Sequence, residues 1–204
     1  MDEALSRVLL LVGAYLLGSI PFSYLIVKAR TGKDVRTLGS GNVGGTNVAR
    51  AAGKAAGLLA ALLDASKGAA AVLLARALDA PPAVVGGAAF AAVLGHCLPV
   101  FLGFRGGKGG ATAAGALVVL APVAALLSAL VLVLMVAWKR WVSLAGLTAS
   151  AATPLLVLFL QRLEWAPAGA WLSLTTAAIA ALILIRHRDN VRRLLAGTEP
   201  RTWV

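Results

Sequence analysis

Ala111-Thr-Ala-Ala-Gly-Ala-Leu-Val-Val-Leu120-Ala-Pro122-Val-Ala-Ala-Leu-Leu-Ser-Ala-Leu-Val-Leu-Val-Leu-Met-Val-Ala-Trp138 is an uncharged run of 28 residues. One helix needs about 20 apolar residues to cross a bilayer, so the run is too long for one ordinary span and too short for two full ones. Charge decides the case. Arg105 and Lys108 precede the run, and Lys139 and Arg140 follow it. Loops rich in Lys and Arg stay on the cytoplasmic side, so the chain must cross an even number of times between them. The reading is a short helix over 111–120 and a second from Pro122 to Trp138, where proline suits the first helical position.

Outward from this stretch, further apolar spans lie at 4–27, 55–78, 83–102, 142–160 and 169–186. The first is kinked near Pro21, and Asp79-Ala80-Pro81-Pro82 makes a turn because two prolines cannot continue a helix. Fifteen of the 19 basic residues fall in four groups: 28–54, 105–108, 139–140 and 186–201. All four belong on one side of the membrane. The expectation is an all-α integral membrane protein, a bundle of seven transmembrane segments with a short fourth helix. Its N-terminus lies outside and its C-terminus in the cytoplasm. Residues 1–204 form a single polytopic domain with no internal repeat. Trp138, Trp141, Trp165 and Trp171 fall near the expected interfaces.

Composition supports this class. Of the 204 residues, 60% are hydrophobic and 13% charged, against about 25% charged in soluble domains. The net charge of +11 is accounted for by loop topology, and no nucleic-acid partner is expected. The one cysteine allows no internal disulfide and no cysteine-based metal site. Asp2 and Glu3 precede Arg7, so no basic leader opens the chain and a cleaved signal peptide is not expected.

Polar residues are scarce in such a chain, and they concentrate where recognition or chemistry belongs. The first concentration is Ser40-Gly41-Asn42-Val43-Gly44-Gly45-Thr46-Asn47-Val48-Ala49-Arg50. Gly39, Gly41, Gly44 and Gly45 permit positive φ and close approach to a ligand. Ser40, Asn42, Thr46 and Asn47 supply hydrogen bonds, and Arg50 supplies a fork for phosphate. Gly41 and Gly45 also fit a helix-packing spacing. The second is Phe104-Arg105-Gly106-Gly107-Lys108-Gly109-Gly110, leading into Thr112 at the start of the short helix. Backbone N–H groups there attract anions, and Lys108 adds a charge. The run is not a nucleotide-binding loop, since Leu102 and Gly109 break that pattern.

His96, in Gly95-His96-Cys97-Leu98-Pro99, is either a packing residue bonded to a carbonyl or part of the site. Cys97 is read as a small buried hydrophobe, not a nucleophile. Neither histidine fits a His-x4-Asp acyltransferase pattern, because positions 101 and 192 are Phe and Arg. The third cluster is His187-Arg188-Asp189-Asn190-Val191-Arg192-Arg193. On a helix, His187 and Asn190 would share a face. His187 is a candidate base or phosphate donor, while Arg192 and Arg193 suit anionic lipid headgroups. Asp64 and Lys67, three apart inside the second span, can pair. They are either a structural pair or a support behind the site.

Together these stretches, with Gly18-Ser-Ile-Pro-Phe22, Asp64-x-x-Lys67-Gly68 and Gly197-Thr-Glu199, resemble the signature motifs of the bacterial acyl-phosphate:glycerol-3-phosphate acyltransferase (PlsY) family. The likeness covers nearly the whole chain, in order. Gly45 stands where Ala is usual, Arg105 where Lys is usual, Gly110 where Val is common and Asp189 where Glu is common. The resemblance implies seven membrane helices and the first acylation of phospholipid synthesis. A fatty acyl group passes from acyl phosphate to the primary (sn-1) hydroxyl of glycerol 3-phosphate, giving lysophosphatidic acid and phosphate. It implies that Ser40, Arg50, Lys108, His187 and Asn190 form the glycerol-phosphate site. Gly41, Asn42, Gly44, Gly45, Thr46, Asn47, His96, Arg105, Gly106, Gly107, Gly109 and Thr112 are placed with substrate binding, the glycine loops around the donor's phosphate. Asp64 and Lys67 stand behind them. No metal or organic cofactor is expected. The partners are the two substrates and membrane lipid, with a monomer as the working unit in the bacterial cytoplasmic (inner) membrane and its site facing the cytoplasm.

The chemistry of these residues agrees with that expectation. Acyl phosphate is a mixed anhydride with a good leaving group, so direct transfer needs no acyl-enzyme. Two anions must be held together against their repulsion, a task for positioning and fixed charge. The proton acceptor is His187 or the substrate's own phosphate, and the latter is preferred. An acyl-Ser40 intermediate is the remaining variant. The rival class is a transporter or exchanger of an organic phosphate, which calls for inverted repeats and broken helices at the midplane. An alcohol phosphotransferase would need clustered aspartates, and Asp2, Asp34, Asp64, Asp79 and Asp189 are dispersed.

Overall fold

The computed structural model describes residues 2–201, and among these every regular element is helical. The order is α1 (Glu3–Ser19), α2 (Phe22–Thr31), α3 (Gly45–Ala52), α4 (Lys54–Ala77), α5 (Pro82–Cys97), α6 (Gly110–Leu120), α7 (Pro122–Lys139), α8 (Val142–Arg162), α9 (Ala170–Arg186) and α10 (Arg188–Leu195). Short 3-10 turns sit at Val35–Thr37 and Val100–Leu102.

Local chemistry explains the boundaries. The Asp2 carboxylate caps α1 by accepting from the Ala4 amide at 3.2 Å, which satisfies one of the orphan donors of a helix start. The expected kink near Pro21 falls at a two-residue interruption, Ile20-Pro21, between α1 and α2 of one apolar span, Glu3–Thr31. Pro82 and Pro122 occupy the opening turns of α5 and α7. There proline's missing N–H costs nothing. Pro154 lies inside α8 without ending it.

Five segments are long and apolar enough to cross a bilayer: Glu3–Thr31, Lys54–Ala77, Pro82–Leu102, Pro122–Lys139 and Val142–Arg162. The pair α9 and α10, bent by 57°, makes a sixth when taken as one span. α6 is apolar but has only 11 residues, a length of about 16 Å against a hydrocarbon core of about 30 Å. α3, inside the first polar stretch, is a helix absent from the sequence reading, and α10 supplies the helix on which His187 and Asn190 would share a face.

Two compact units divide the chain, residues 1–116 and 117–204. In the first, α5 packs on α1 and on α4, and α3 packs on α4. The contacts are backbone to backbone. A methyl group on Gly18 would collide with the Ala92 carbonyl, and one on Gly95 with the Tyr15 carbonyl. Likewise Gly68 abuts the Thr112 carbonyl and Gly115 the Ala65 carbonyl, closing α4 onto α6. Small residues at such crossings are how membrane helices gain packing contact. In the second unit α7 packs on α8, α8 on α9, and α10 against both α8 and α9. Leu126, Leu130, Val133 and Leu134 of α7 are all exposed, as a lipid-facing surface requires.

Candidate active site

The first polar stretch is a folded loop running into a helix. Beneath it Val27, Val35, Val43, Val48, Ala56, Ala60 and Leu102 form a buried cluster, with Tyr24 and Leu38 packed against it. Asn47 ties the loop together. Its side chain is buried, and its Oδ1 accepts from the Ser40 amide at 3.0 Å. Its Nδ2 faces the carbonyls of Val35, Leu38 and Asn42 at 3.1, 2.9 and 3.1 Å. Asn47 thus spends its amide on the chain itself, and its place is that of a loop former.

The glycines divide by role. Gly39 and Gly41 have φ of 54° and 68°, the left-handed region that glycine enters without strain. Gly44 and Gly45 do not turn this way. Gly44 is the extended residue before α3, and Gly45 lies in α3, where a methyl group would meet the Gly57 carbonyl at 2.8 Å. Their smallness serves helix entry and packing. Arg50 is half-buried in the last turn of α3, and Ser40 and Thr46 are exposed.

The second stretch folds back onto α5. Phe104 N–H donates to the Pro99 carbonyl at 2.9 Å and Gly107 N–H to the His96 carbonyl at 3.0 Å. The Tyr15 hydroxyl holds the Leu98 carbonyl at 2.7 Å. Lys108 is half-buried, Arg105 is exposed, and Thr112 lies fully buried in the first turns of α6.

Within this unit the two glycine stretches come together. A methyl group on Gly107 would strike both His96 Nε2 and the Val43 carbonyl. Arg36 Nη1 donates to the Leu102 carbonyl at 3.1 Å while its guanidinium grips Asp34 at 2.7 Å. The Arg36 hydrogen bond outweighs burial and holds the Asp34 carboxyl below its usual value. Sequence reading counted Arg36 only as a topological charge and assigned Asp34 nothing, because no spacing pattern marks a strap between loops.

Asp64 and Lys67 form the expected pair, Nζ to Oδ1 at 2.9 Å, both buried. Ser23 Oγ donates to Asp64 Oδ2 at 3.1 Å, Lys67 Nζ to the Ile20 carbonyl at 3.0 Å, and His96 Nδ1 lies 3.4 Å from Asp64 Oδ1.

The third cluster is built within the second unit. His187 caps α10 and Asn190 lies one turn on, both buried. His187 Nδ1 meets the Ile183 carbonyl at 2.8 Å. A carbonyl can only accept, so Nδ1 carries the hydrogen and the acceptor of a neutral ring is Nε2. Asn190 Nδ2 donates to Glu199 Oε1 at 2.6 Å, and Arg193 Nε to Glu199 Oε2 at 2.7 Å. Burial alone would raise the Glu199 pKa. The Asn190 amide and Arg193 outweigh it and hold the carboxyl below its usual value. Glu199 was visible in the sequence only as the end of Gly197-Thr-Glu199, with no role attached.

Residues 8–197 match the family model described as glycerol-3-phosphate acyltransferase. The chain belongs to the glycerol-3-phosphate acyltransferase family. It is 44% identical to the protein of that name from Geotalea daltonii, over 95% of this chain and 96% of the relative. It is 48% identical to the one from Rubrobacter xylanophilus, over 95% of this chain and 94% of that one. Among solved structures it is similar to PlsY (YgiH), an integral membrane glycerol 3-phosphate acyltransferase. Against the glycerol 3-phosphate form the TM-score is 0.88 at 44% identity, covering 97% of this chain and 96% of that one. Against the lysophosphatidic acid form it is 0.86 at 42% identity, with the same coverage. The all-helical membrane architecture agrees with these acyltransferase relatives, and nothing in the family comparison favours a transporter.

Proposed function

We propose that the protein transfers a fatty acyl group from acyl phosphate to the sn-1 hydroxyl of glycerol 3-phosphate. The observation that carries the reading is its near full-length likeness to an acyltransferase solved in its glycerol 3-phosphate form. The convergence of two basic glycine loops in the first unit supports it further.

The hydroxyl oxygen attacks the acyl carbonyl carbon, a C–O bond forms, the bond to the phosphate oxygen breaks, and inorganic phosphate departs. The hydroxyl proton passes to the acceptor's own phosphate. Arg50 and Lys108 carry the compensating charge for two phosphates, and Ser40, His187 and Asn190 hold the acceptor. Asn42, Thr46 and Arg105 present side-chain donors to phosphate beside Gly106 and Gly109, while Gly41 and Gly107, whose N–H groups are given to the Leu38 and His96 carbonyls, shape the loops, as Asn47 does. Fixed donors aimed at developing charge are the largest single source of such catalysis. No acyl-enzyme is formed.

In this reading residues 1–204 work as one monomeric membrane domain. Seven segments cross or enter the bacterial cytoplasmic membrane, with α6 as the short fourth. The N-terminus is outside, and the basic loops and the C-terminus face the cytoplasm. The charge distribution supports this orientation. Purified protein in detergent, given acyl phosphate and glycerol 3-phosphate, should release phosphate and lysophosphatidic acid in equal amounts. Phosphate release that is indifferent to glycerol 3-phosphate would overturn the proposal.

A further inference from the structure

Asp64, Lys67 and His96 are 1%, 2% and 6% exposed. They are two charges and an imidazole buried beside Gly18, Ser19, Ile20, Pro21, Val43 and Pro99. An ionic pair in such a place is costly unless every member is hydrogen-bonded. Here Lys67 and Asp64 Oδ2 are hydrogen-bonded, and Asp64 Oδ1 is held by its ion-pair contacts with Lys67 and His96. Lys67 Nζ bridges Asp64 Oδ1 at 2.9 Å and the Ile20 carbonyl at 3.0 Å, which anchors the cluster to the α1–α2 break at Pro21. Ser23, at the start of α2, donates to the other carboxylate oxygen at 3.1 Å. Asp64 then faces His96 Nδ1 at 3.4 Å.

The opposite edge of the imidazole points to the loops. A methyl group on Gly107 would collide with His96 Nε2 and with the Val43 carbonyl, so one small space is bounded by the ring, the first loop and the second loop. The His96 backbone takes part as well, its carbonyl accepting from Gly107 N–H at 3.0 Å. A small cavity of about 10 Å³ lies beside this junction, lined by Ser19, Val43, Asp64, Lys67, His96 and Pro99 among others. That is at the lower limit for admitting a single water.

We propose that His96 is a positioning residue that sets the distance between the two phosphate-binding loops. Asp64 and Lys67 form the fixed base that holds its ring. A carboxylate on one ring nitrogen fixes the orientation of the other, the logic by which second partners orient histidine ligands. The loops carry the glycine backbones and Lys108, so a displaced ring shifts the groups that meet phosphate. The role rests on the acyltransferase reading for its substrate but not for its physical content, which is phosphate affinity.

The test separates the two ends of the ring. In His96→Asn the amide reaches the Asp64 side but ends short of Gly107, whereas in His96→Gln it extends to where Nε2 sits. Binding of inorganic phosphate and of glycerol 3-phosphate to purified protein is measured by calorimetry, together with KM, kcat and the thermal midpoint. His96→Asn should weaken phosphate binding about tenfold or more and raise KM more than it lowers kcat, with His96→Gln recovering most of the loss. Gly107→Ala, which presses on Nε2 from the loop side and leaves the buried pair intact, should weaken phosphate binding to a similar extent. Equal affinity in His96→Asn, His96→Gln and the parent overturns the proposal. So does a loss that merely follows the folded fraction, or an inert Gly107→Ala. A parent that binds phosphate through His96 yet makes no lysophosphatidic acid would instead overturn the acyltransferase reading alone.

Discussion

At the scale of single residues, Asn47 and His187 illustrate two different uses of a polar side chain. Asn47 is 1% exposed and serves four backbone partners of the first loop. Asn47→Leu leaves those groups without their amide, at a cost of about 1–3 kcal/mol for each one that water cannot reach. The expected outcome is a lowered thermal midpoint and a raised KM for glycerol 3-phosphate. An unchanged midpoint would remove Asn47 from the loop's support. His187 is held through Nδ1 by the Ile183 carbonyl. If the substrate's phosphate takes the proton, His187→Asn should keep the shape of the pH–rate profile and lower kcat modestly. A loss of about 10²–10⁴ in kcat with a vanished acidic limb is the signature of a lost general base, and it would assign the proton transfer to His187.

Elements bring a different set of forces into view. α10 is held against its own C-terminal segment by one carboxylate, since Glu199 accepts from Asn190 and Arg193 and its backbone carbonyl accepts from Trp141 Nε1 at 3.2 Å. The Glu199 carboxyl titrates below its usual value in the folded chain. The unfolded chain therefore takes up the proton first on acidification. The stabilisation is fully present above the ordinary carboxylate range and is lost as pH falls through the depressed folded value. The protection factors of the amides across Asn190–Leu194, exchange corrected for its intrinsic pH dependence, should be high and flat at neutral pH and should fall only in acid. Glu199→Gln should exchange faster at neutral pH and lose most of this acid dependence. Identical profiles would mean that the carboxylate does not fasten α10.

The same elements explain what could be seen in the sequence. The breaks at Pro21, Pro81-Pro82 and Pro122 were legible because proline acts locally. α3 was not legible as a helix and α10 was legible only as the condition for pairing His187 with Asn190, because each is eight residues long and polar enough to pass for loop. Helices that short are stabilised by what they pack on, not by propensity.

For the molecule as a whole, composition and charge distribution made the helical membrane class readable, because hydropathy and basic loops act over whole spans. The identity of the polar clusters was readable as well, since a mostly apolar chain leaves few places for chemistry. Which polar groups face ligand and which face protein was not readable. The same amide serves either purpose, and only the fold shows that Asn47 turns inward, that Arg36 straps Leu102, and that His96 stands between Asp64 and Gly107.

In the proposed reaction, fixed cations hold two mutually repelling phosphorylated reactants together while an acyl group passes between them. Comparing glycerol 3-phosphate with glycerol as acceptor tests it most directly, in the parent protein and in Arg50→Ala. If Arg50 serves the acceptor's phosphate, the parent should prefer glycerol 3-phosphate by a large factor in kcat/KM. Arg50→Ala should lose about 10²-fold or more of that preference, the scale of a charge-assisted contact removed from a transition state. An unchanged preference in Arg50→Ala, with both acceptors slowed alike, would contradict the account.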